Sequence, residues 1–296
     1  SIVEKMTLFW HNHFSTETNV VSDARYIYKY NALLRQYALG NFKELTKQIT
    51  IDPAMIRYLN GYANTKTAPD ENYGRELQEL FTSGKGVNSQ YTEADVKAAA
   101  RLLTGWRDDA TNITYTFDAT KHDTTDKQFS AYYNNTKIIG RSGATAGTDE
   151  LNDLLTMIFA QQEVSKFICR KLYRWFVYYV IDQNAEDNVI IPLAQIFRDN
   201  NYDIKPVLAA LLKSAHFYDA ANIGCMIKNP VDVIAGTLRQ FSIAFPNSTA
   251  LVAQYVLWSA MQNSAAAMEL NIGDPPNVAG WPAYYQIPQY YELWIN

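Results

Sequence analysis

Glu76 and Glu79 stand three residues apart inside the stretch Pro69 to Trp106, which reads PDENYGRELQELFTSGKGVNSQYTEADVKAAARLLTGW. Carboxylates at i and i+3 of a helix share a face, so they can share a proton or grip a divalent metal ion. The same spacing also describes a solvated face. Glu71, Arg75 and Glu79 follow one another at four-residue intervals, a ladder worth only tenths of a kcal/mol per pair in water. His11 and His13 form a second candidate set. An H-x-H pair chelates readily from extended backbone, but on a regular helix the two rings diverge by about 200°. His122-Asp123, with Lys127 after it, is the third: a histidine beside an aspartate suits acid/base work or ligand binding. In so polar a loop the sequence predicts an exposed pair.

The elements that must carry these residues are mostly helical. Tyr73, Leu77, Leu80 and Phe81 recur at helical spacing, with Asn72, Glu76 and Glu79 on an adjacent stripe. Gly84 and Gly86 end that helix. Thr92 with Asp95 starts the next as a capping box; Arg101 lies beside its inward face, and Gly105 stops it before Trp106. Upstream, the spacing predicts helices over 1–14, 23–37 and 42–49 and a fourth from Asp52-Pro53. Downstream, it predicts helices over 151–159, 164–181, 189–197, 204–214, 230–245 and 249–270. Lys166, Arg170 and Arg174 mark a basic stripe on the second of these. Between 107 and 148 the composition turns to Asn, Asp, Thr and Gly, and Thr114–Phe117, Gln128–Tyr132 and Lys137–Gly140 read as short strands. The run GDPPNVAGWP at 273–282 is neither helix nor central strand. It holds Asn277 and Trp281 in a restricted loop that suits either a binding rim or packing across the bundle.

The reading is therefore mainly α: one multi-helix domain over 1–296, with lobes 1–106 and 149–296 joined by a small β excursion at 107–148. A chain of 296 residues, 48% hydrophobic, can bury a sizeable core. Its net charge of −4 argues against a general attraction to nucleic acid or acidic membranes. No apolar run approaches the ~20 residues of a transmembrane helix. Cys169 and Cys225 lie in no metal-type spacing and read as separate thiols. With four histidines and two cysteines, a zinc site would need carboxylate help. Dinucleotide, P-loop, nucleophile-elbow and zincin motifs are all missing.

Taken in order, FWHNHF (9–14), ALGNF (38–42), DPAM (52–55), ENYGREL (71–77), YTEADV (91–96) and RLLTGW (101–106) resemble the bacterial domain of unknown function 1800 family. So do His122-Asp123 with Lys127, KNP (228–230) and PPNVAGWP (275–282). The similarity spans nearly the whole chain. Family members usually carry a further N-terminal region and a C-terminal tail, so this sequence reads as a fragment or a processed product. Gly74 stands where the family pattern usually has Ala. The resemblance implies a bacterial protein exported to the periplasm, often beside a sulfatase-like protein of the domain of unknown function 1501 family. It supplies no established activity.

On this basis Glu76, Glu79, His122 and Asp123 are the catalytic candidates of an enzyme, or enzyme subunit, acting on polysaccharide or cell-envelope material. Asn72, Arg75, Arg101, Trp106, Asn277 and Trp281 are the binding candidates. His11, His13, Glu76 and Glu79 are candidate ligands for a divalent metal. The rival expectation is a non-catalytic scaffold for the sulfatase-like protein. It would bind glycan through Trp106, Trp281 and Tyr284, with Arg75 or Arg101 paired to Glu76 or Asp95. A third is a structural cation held by Glu76, Glu79 and Asp95.

Overall fold

The computed structural model describes residues 1–281. Its first half contains α1 (Ile2–His13), α2 (Thr18–Val21), α3 (Ala24–Gln36), α4 (Phe42–Thr50), α5 (Pro53–Tyr58) and α6 (Asn72–Glu76), which widens into a π segment over Leu77–Thr82, then α7 (Glu93–Leu102). Four short strands follow: β1 (Trp106–Asp109), β2 (Thr114–Phe117), β3 (Lys127–Gln128) and β4 (Lys137–Ile138). The second half has α8 (Ala146–Phe159), α9 (Gln162–Phe176), and α10 (Gln183–Ala185) running through a π segment (Glu186–Ile190) into α11 (Ile191–Asp199). It ends with α12 (Ile204–Leu212), α13 (Pro230–Gln240) and α14 (Leu251–Ala267). The fold is mainly α, as the periodicity predicts. Among the described residues no helix is long and apolar enough to cross a membrane.

Side-chain caps set many of the helix starts. Asp23, Asn41, Asp52 and Asn229 each accept a backbone N–H of the helix they precede, and Thr92 and Asp95 complete both halves of a capping box. Asp203, expected to cap α12, instead accepts from Asn41 Nδ2 at 3.2 Å. Backbone bonds from Phe42 to Tyr202 (2.8 Å) and from Ile204 to Gly40 (3.0 Å) join the same two helix starts.

One apolar cluster runs from Met6 to Leu211 and draws on both halves. Its centre is aromatic. Trp10 stacks on Phe42 at 5.4 Å between ring centroids, and its indole donates to the Ala38 carbonyl. Each such buried aromatic is worth about 1.5–3 kcal/mol of transfer free energy. Cys169 is buried within the cluster, and both cysteines are free thiols, as expected.

The β excursion is smaller than the sequence suggests. β1 pairs antiparallel with β2, setting Trp106 opposite Phe117, and β3 pairs with β4. The expected strand over 128–132 stops at Gln128, and Ala131–Tyr133 is a 3₁₀ turn that buries Tyr133. α13 and α14 pack on one another but bury little. The described contribution of α14 to the interior is Ala265, while Val252, Tyr255 and Trp258 face solvent.

Candidate functional site

α6 lies tightly on α7 because residue 74 is glycine. A Cβ there would come within 3.1 Å of the Ala100 nitrogen and 3.2 Å of the Val96 oxygen. This gives a packing reason for the residue that departs from the usual Ala. Beyond Glu76 the helix takes an extra residue per turn. Thr82 Oγ1 donates to the Leu77 carbonyl at 2.5 Å, and the buried Gln78 bridges the Gly74 carbonyl (2.9 Å) and the Tyr133 hydroxyl (2.9 Å). Side chains thus satisfy backbone that a π segment loosens, and such segments recur at functional sites.

The two glutamates stand on either side of this junction, Glu76 at the end of α6 and Glu79 in the π segment. Glu79 pairs with Lys85 at 2.8 Å and accepts from the Tyr91 hydroxyl at 3.3 Å. Glu76 is half-buried and makes no hydrogen bond among the described residues. Burial, and then the negative charge of Glu79, push its pKa up to about 7. Tyr58 lies on the other side of the pair. Its hydroxyl donates to Glu17 at 2.6 Å, and after burial the charges of Glu17, Glu76 and Asp274 raise its pKa. The glutamates were legible in the sequence, whereas Glu17, Tyr58, Lys85 and Tyr91 were not singled out.

His11 and His13 do separate around α1, yet both are buried. His13 faces the core: its Nε2 meets the Phe81 carbonyl of the π segment at 3.0 Å and its Nδ1 meets Lys171 Nζ at 2.8 Å. The carbonyl can only accept, so Nε2 carries the proton and Nδ1 accepts from the lysine. Burial, then the nearby Lys171 charge, hold the ring well below the usual histidine range. On the opposite side, residues 273–281 cover His11. Its Nε2 accepts the Gly273 N–H at 3.0 Å, its ring meets Trp281 edge-on, and burial lowers its pKa to about 4. Asn12 Oδ1 takes the Trp281 N–H at 2.8 Å. Asn277 spends its side-chain oxygen on the Ala279 N–H, and Trp281 is buried. The loop therefore packs across the bundle, and Trp281 offers no open face to a glycan. Tyr284 lies outside the described residues.

His122 corrects the expectation of an exposed pair, because its side chain is 1% accessible. Nδ1 lies 2.9 Å from the Thr104 carbonyl and Nε2 lies 3.1 Å from Glu150 Oε1. Both ring nitrogens thus face an oxygen of the protein. Glu150 also takes Lys127 Nζ at 2.6 Å and the Arg141 N–H at 2.6 Å. Burial works to raise the pKa of Glu150, but the bonds from His122, Lys127 and Arg141 bring it below the usual range. Asp123 turns away to Arg101 Nε at 2.8 Å and to Thr125. Those bonds outweigh its burial and lower its pKa to about 2. Among the described residues this network shares no hydrogen-bond or ion-pair partner with His13, Glu76 or Glu79.

The remaining assignments change in detail. Arg75 pairs with Glu71 (3.1 Å) and Glu93 (2.6 Å) rather than with Glu76 or Glu79. Arg101 pairs with Asp123 rather than Asp95, whose carboxylate is consumed by Thr92 and the Ser130 N–H. That leaves Asp95 outside any cation site with the glutamates. Asn72 is exposed, and Trp106 is buried between Tyr115 and Phe117. Among the described residues no three His, Cys, Asp or Glu side chains converge in a metal-binding arrangement. His11 and His13 are instead committed to hydrogen bonds on opposite sides of α1.

A mainly helical protein with a carboxylate pair astride the junction of an α-helix and a π segment is the class that fold and site define. Over residues 1–296 the sequence matches the family described as "Protein of unknown function (DUF1800)", and the chain belongs to that family. Neither a curated protein nor a solved structure matches the chain.

Proposed function

We propose that the protein is an exported bacterial enzyme that cleaves or remodels polysaccharide or cell-envelope material by acid/base chemistry centred on Glu76. The observation that carries this reading is a half-buried carboxyl with no hydrogen-bond partner among the described residues, its pKa raised to about 7 by burial and by a second carboxylate. Two titratable groups in contrasting environments are the usual basis for an acid/base assignment. Glu76 would donate its proton to the leaving oxygen. Glu79, anchored by Lys85, would keep that proton in place and stabilise positive charge developing on the sugar. The tyrosines Tyr58 and Tyr91 frame the pair. The test compares wild type with Glu76→Gln for release of reducing ends from purified envelope polysaccharide. We expect the substitution to lower turnover by roughly 10²–10⁴-fold without altering the circular dichroism spectrum. Unchanged turnover rules Glu76 out as the acid.

A second reading rests on α13 and α14. Val252 (80% exposed), Tyr255 (62%) and Trp258 (45%) give the protein an apolar face of the kind that marks a partner surface. Here the chain is a non-catalytic scaffold for the sulfatase-like protein, and Arg75–Glu93 and Arg101–Asp123 are structural ion pairs. Size-exclusion chromatography of the two purified proteins tests it. Co-elution that Val252→Asp abolishes supports the scaffold role, and separate elution at micromolar concentration removes it.

A further inference from the structure

Lys171 sits on α9 one residue away from the basic stripe that the sequence displays, and its surroundings differ from those of Arg170. Arg170 is clamped by Glu163 (2.5 Å) and Glu186 (2.6 Å). Among the described residues Lys171 has no carboxylate partner. Its Nζ donates to His13 Nδ1 at 2.8 Å and lies over the Phe167 ring, 5.6 Å from the centroid. The His13 tautomer is fixed from behind by the Phe81 carbonyl, so the imidazole can only accept from the lysine. The side chain as a whole is half-buried. The titratable and charged groups around it are His13 from α1 and Arg174 from its own helix, and neither is a counter-ion.

We propose that Lys171 is a nucleophilic amine that forms an imine with the carbonyl carbon of a small aldehyde or ketone. A desolvated lysine beside another cation is the known recipe for such an amine. Burial, then the Arg174 charge, bring its pKa down to about 7. In the neutral form Nζ keeps one N–H on His13, and its lone pair is free to attack. Attack forms the C–N bond as the carbonyl π bond opens, and the oxygen takes up a proton while nitrogen gives one to water. The carbinolamine then loses its hydroxyl group as water, with the C=N bond replacing the C–O bond. One amine and one carbonyl give one imine and one water, and nothing is oxidised or reduced. The protonated imine retains a single N–H, and His13 Nδ1 is placed to accept it. The Glu76 chemistry plays no part in this step.

The experiment treats the intact protein with glycolaldehyde and sodium cyanoborohydride, which reduces imines to stable secondary amines, and maps labelled lysines by mass spectrometry. An ordinary lysine is neutral in only about one molecule in 10³ at pH 7, against about half for an amine with a pKa near 7. We expect Lys171 to label at least tenfold faster than the exposed Lys66 and Lys121 at pH 7. Its labelling should level off above pH 8 while theirs continues to climb. In His13→Asn the lead of Lys171 should shrink, and in Lys171→Arg the fast-labelling site should vanish. Labelling of Lys171 at or below the rate of the exposed lysines overturns the proposal, and so does a fast site that persists in Lys171→Arg.

Discussion

Glu150→Ala tests the energetics of the buried His122–Glu150–Lys127 network. The carboxylate accepts from His122, Lys127 and the Arg141 N–H, and the Lys127 and Glu150 side chains are both 0% exposed. Removing it leaves a buried ammonium with only the Asp123 carbonyl as acceptor, and an imidazole N–H facing a void. Breaking one side of a buried ion pair costs about 3–5 kcal/mol. An unfolding entropy of about 2.1 cal/mol/K per residue gives roughly 0.6 kcal/mol/K for a chain of this length, so Tm should fall by about 5–8 °C. The assay is thermal unfolding at pH 7 followed by circular dichroism. The double variant Lys127→Met, Glu150→Leu replaces the pair with apolar side chains of similar reach and should regain at least half of the loss. pH adds a second axis. The folded Glu150 carboxyl has a lowered pKa, so its stabilisation is complete above the unfolded value of 4.5 and is lost as pH falls through the folded value. A single variant melting within about 2 °C of wild type, or a double variant less stable than both singles, would refute the argument.

Glu79→Gln removes a charge that helps to hold Glu76 protonated, so the pKa of Glu76 should drop from about 7 towards 4.5. In the pH–rate profile the limb where activity fails with rising pH should move to lower pH. Asp52 presents the opposite sign to Glu150, since burial raises its pKa to about 7 while it caps α5. Its stabilisation is complete below the unfolded value and is lost as pH rises through 7. Asp52→Asn keeps the acceptor and cannot ionise, so urea unfolding at pH 8 should show a gain on the order of 1–3 kcal/mol over wild type. Gly280→Ala should detach the loop from α1. Residue 280 has φ +83°, and a Cβ would lie 2.3 Å from the Asn12 carbonyl oxygen. Limited proteolysis should then cut near 273–281 at least tenfold faster.

What the sequence displayed was local. Thr92 with Asp95 and Asn229 with Asp232 mark helix starts because the capping bonds span three residues. The π segment was hidden, because one extra residue per turn hardly alters the apolar pattern Tyr73, Leu77, Leu80, Phe81. What stabilises the widened turn includes Tyr133, 55 residues away from Gln78. His122 misled for a similar reason. Its neighbours are polar, but Glu150, 28 residues later and just ahead of the helix read over 151–159, supplies the buried acceptor. Helical geometry correctly separated His11 from His13, but it could not show what buries His11, because that cover is a loop some 260 residues downstream. Lys171 was overlooked beside the regular stripe at 166, 170 and 174. Charge spacing reveals neighbours on one helix, and the partner that defines Lys171 stands on another.

Gly273, Gly280 and Trp281 return to α1 across 262 and 269 residues of sequence for the His11 and Asn12 contacts. A contact of that span closes a loop of 262 residues or more, and during synthesis it cannot form until residue 281 has emerged. Until then the imidazole of His11 and the amide of Asn12 have only water as partner, and the first helix is an unfinished edge. Translation order sets when this side of α1 can be covered, and a folding intermediate that lacks the loop should expose His11 and Asn12 while Trp10 and His13 are already packed on Phe42 and Phe81.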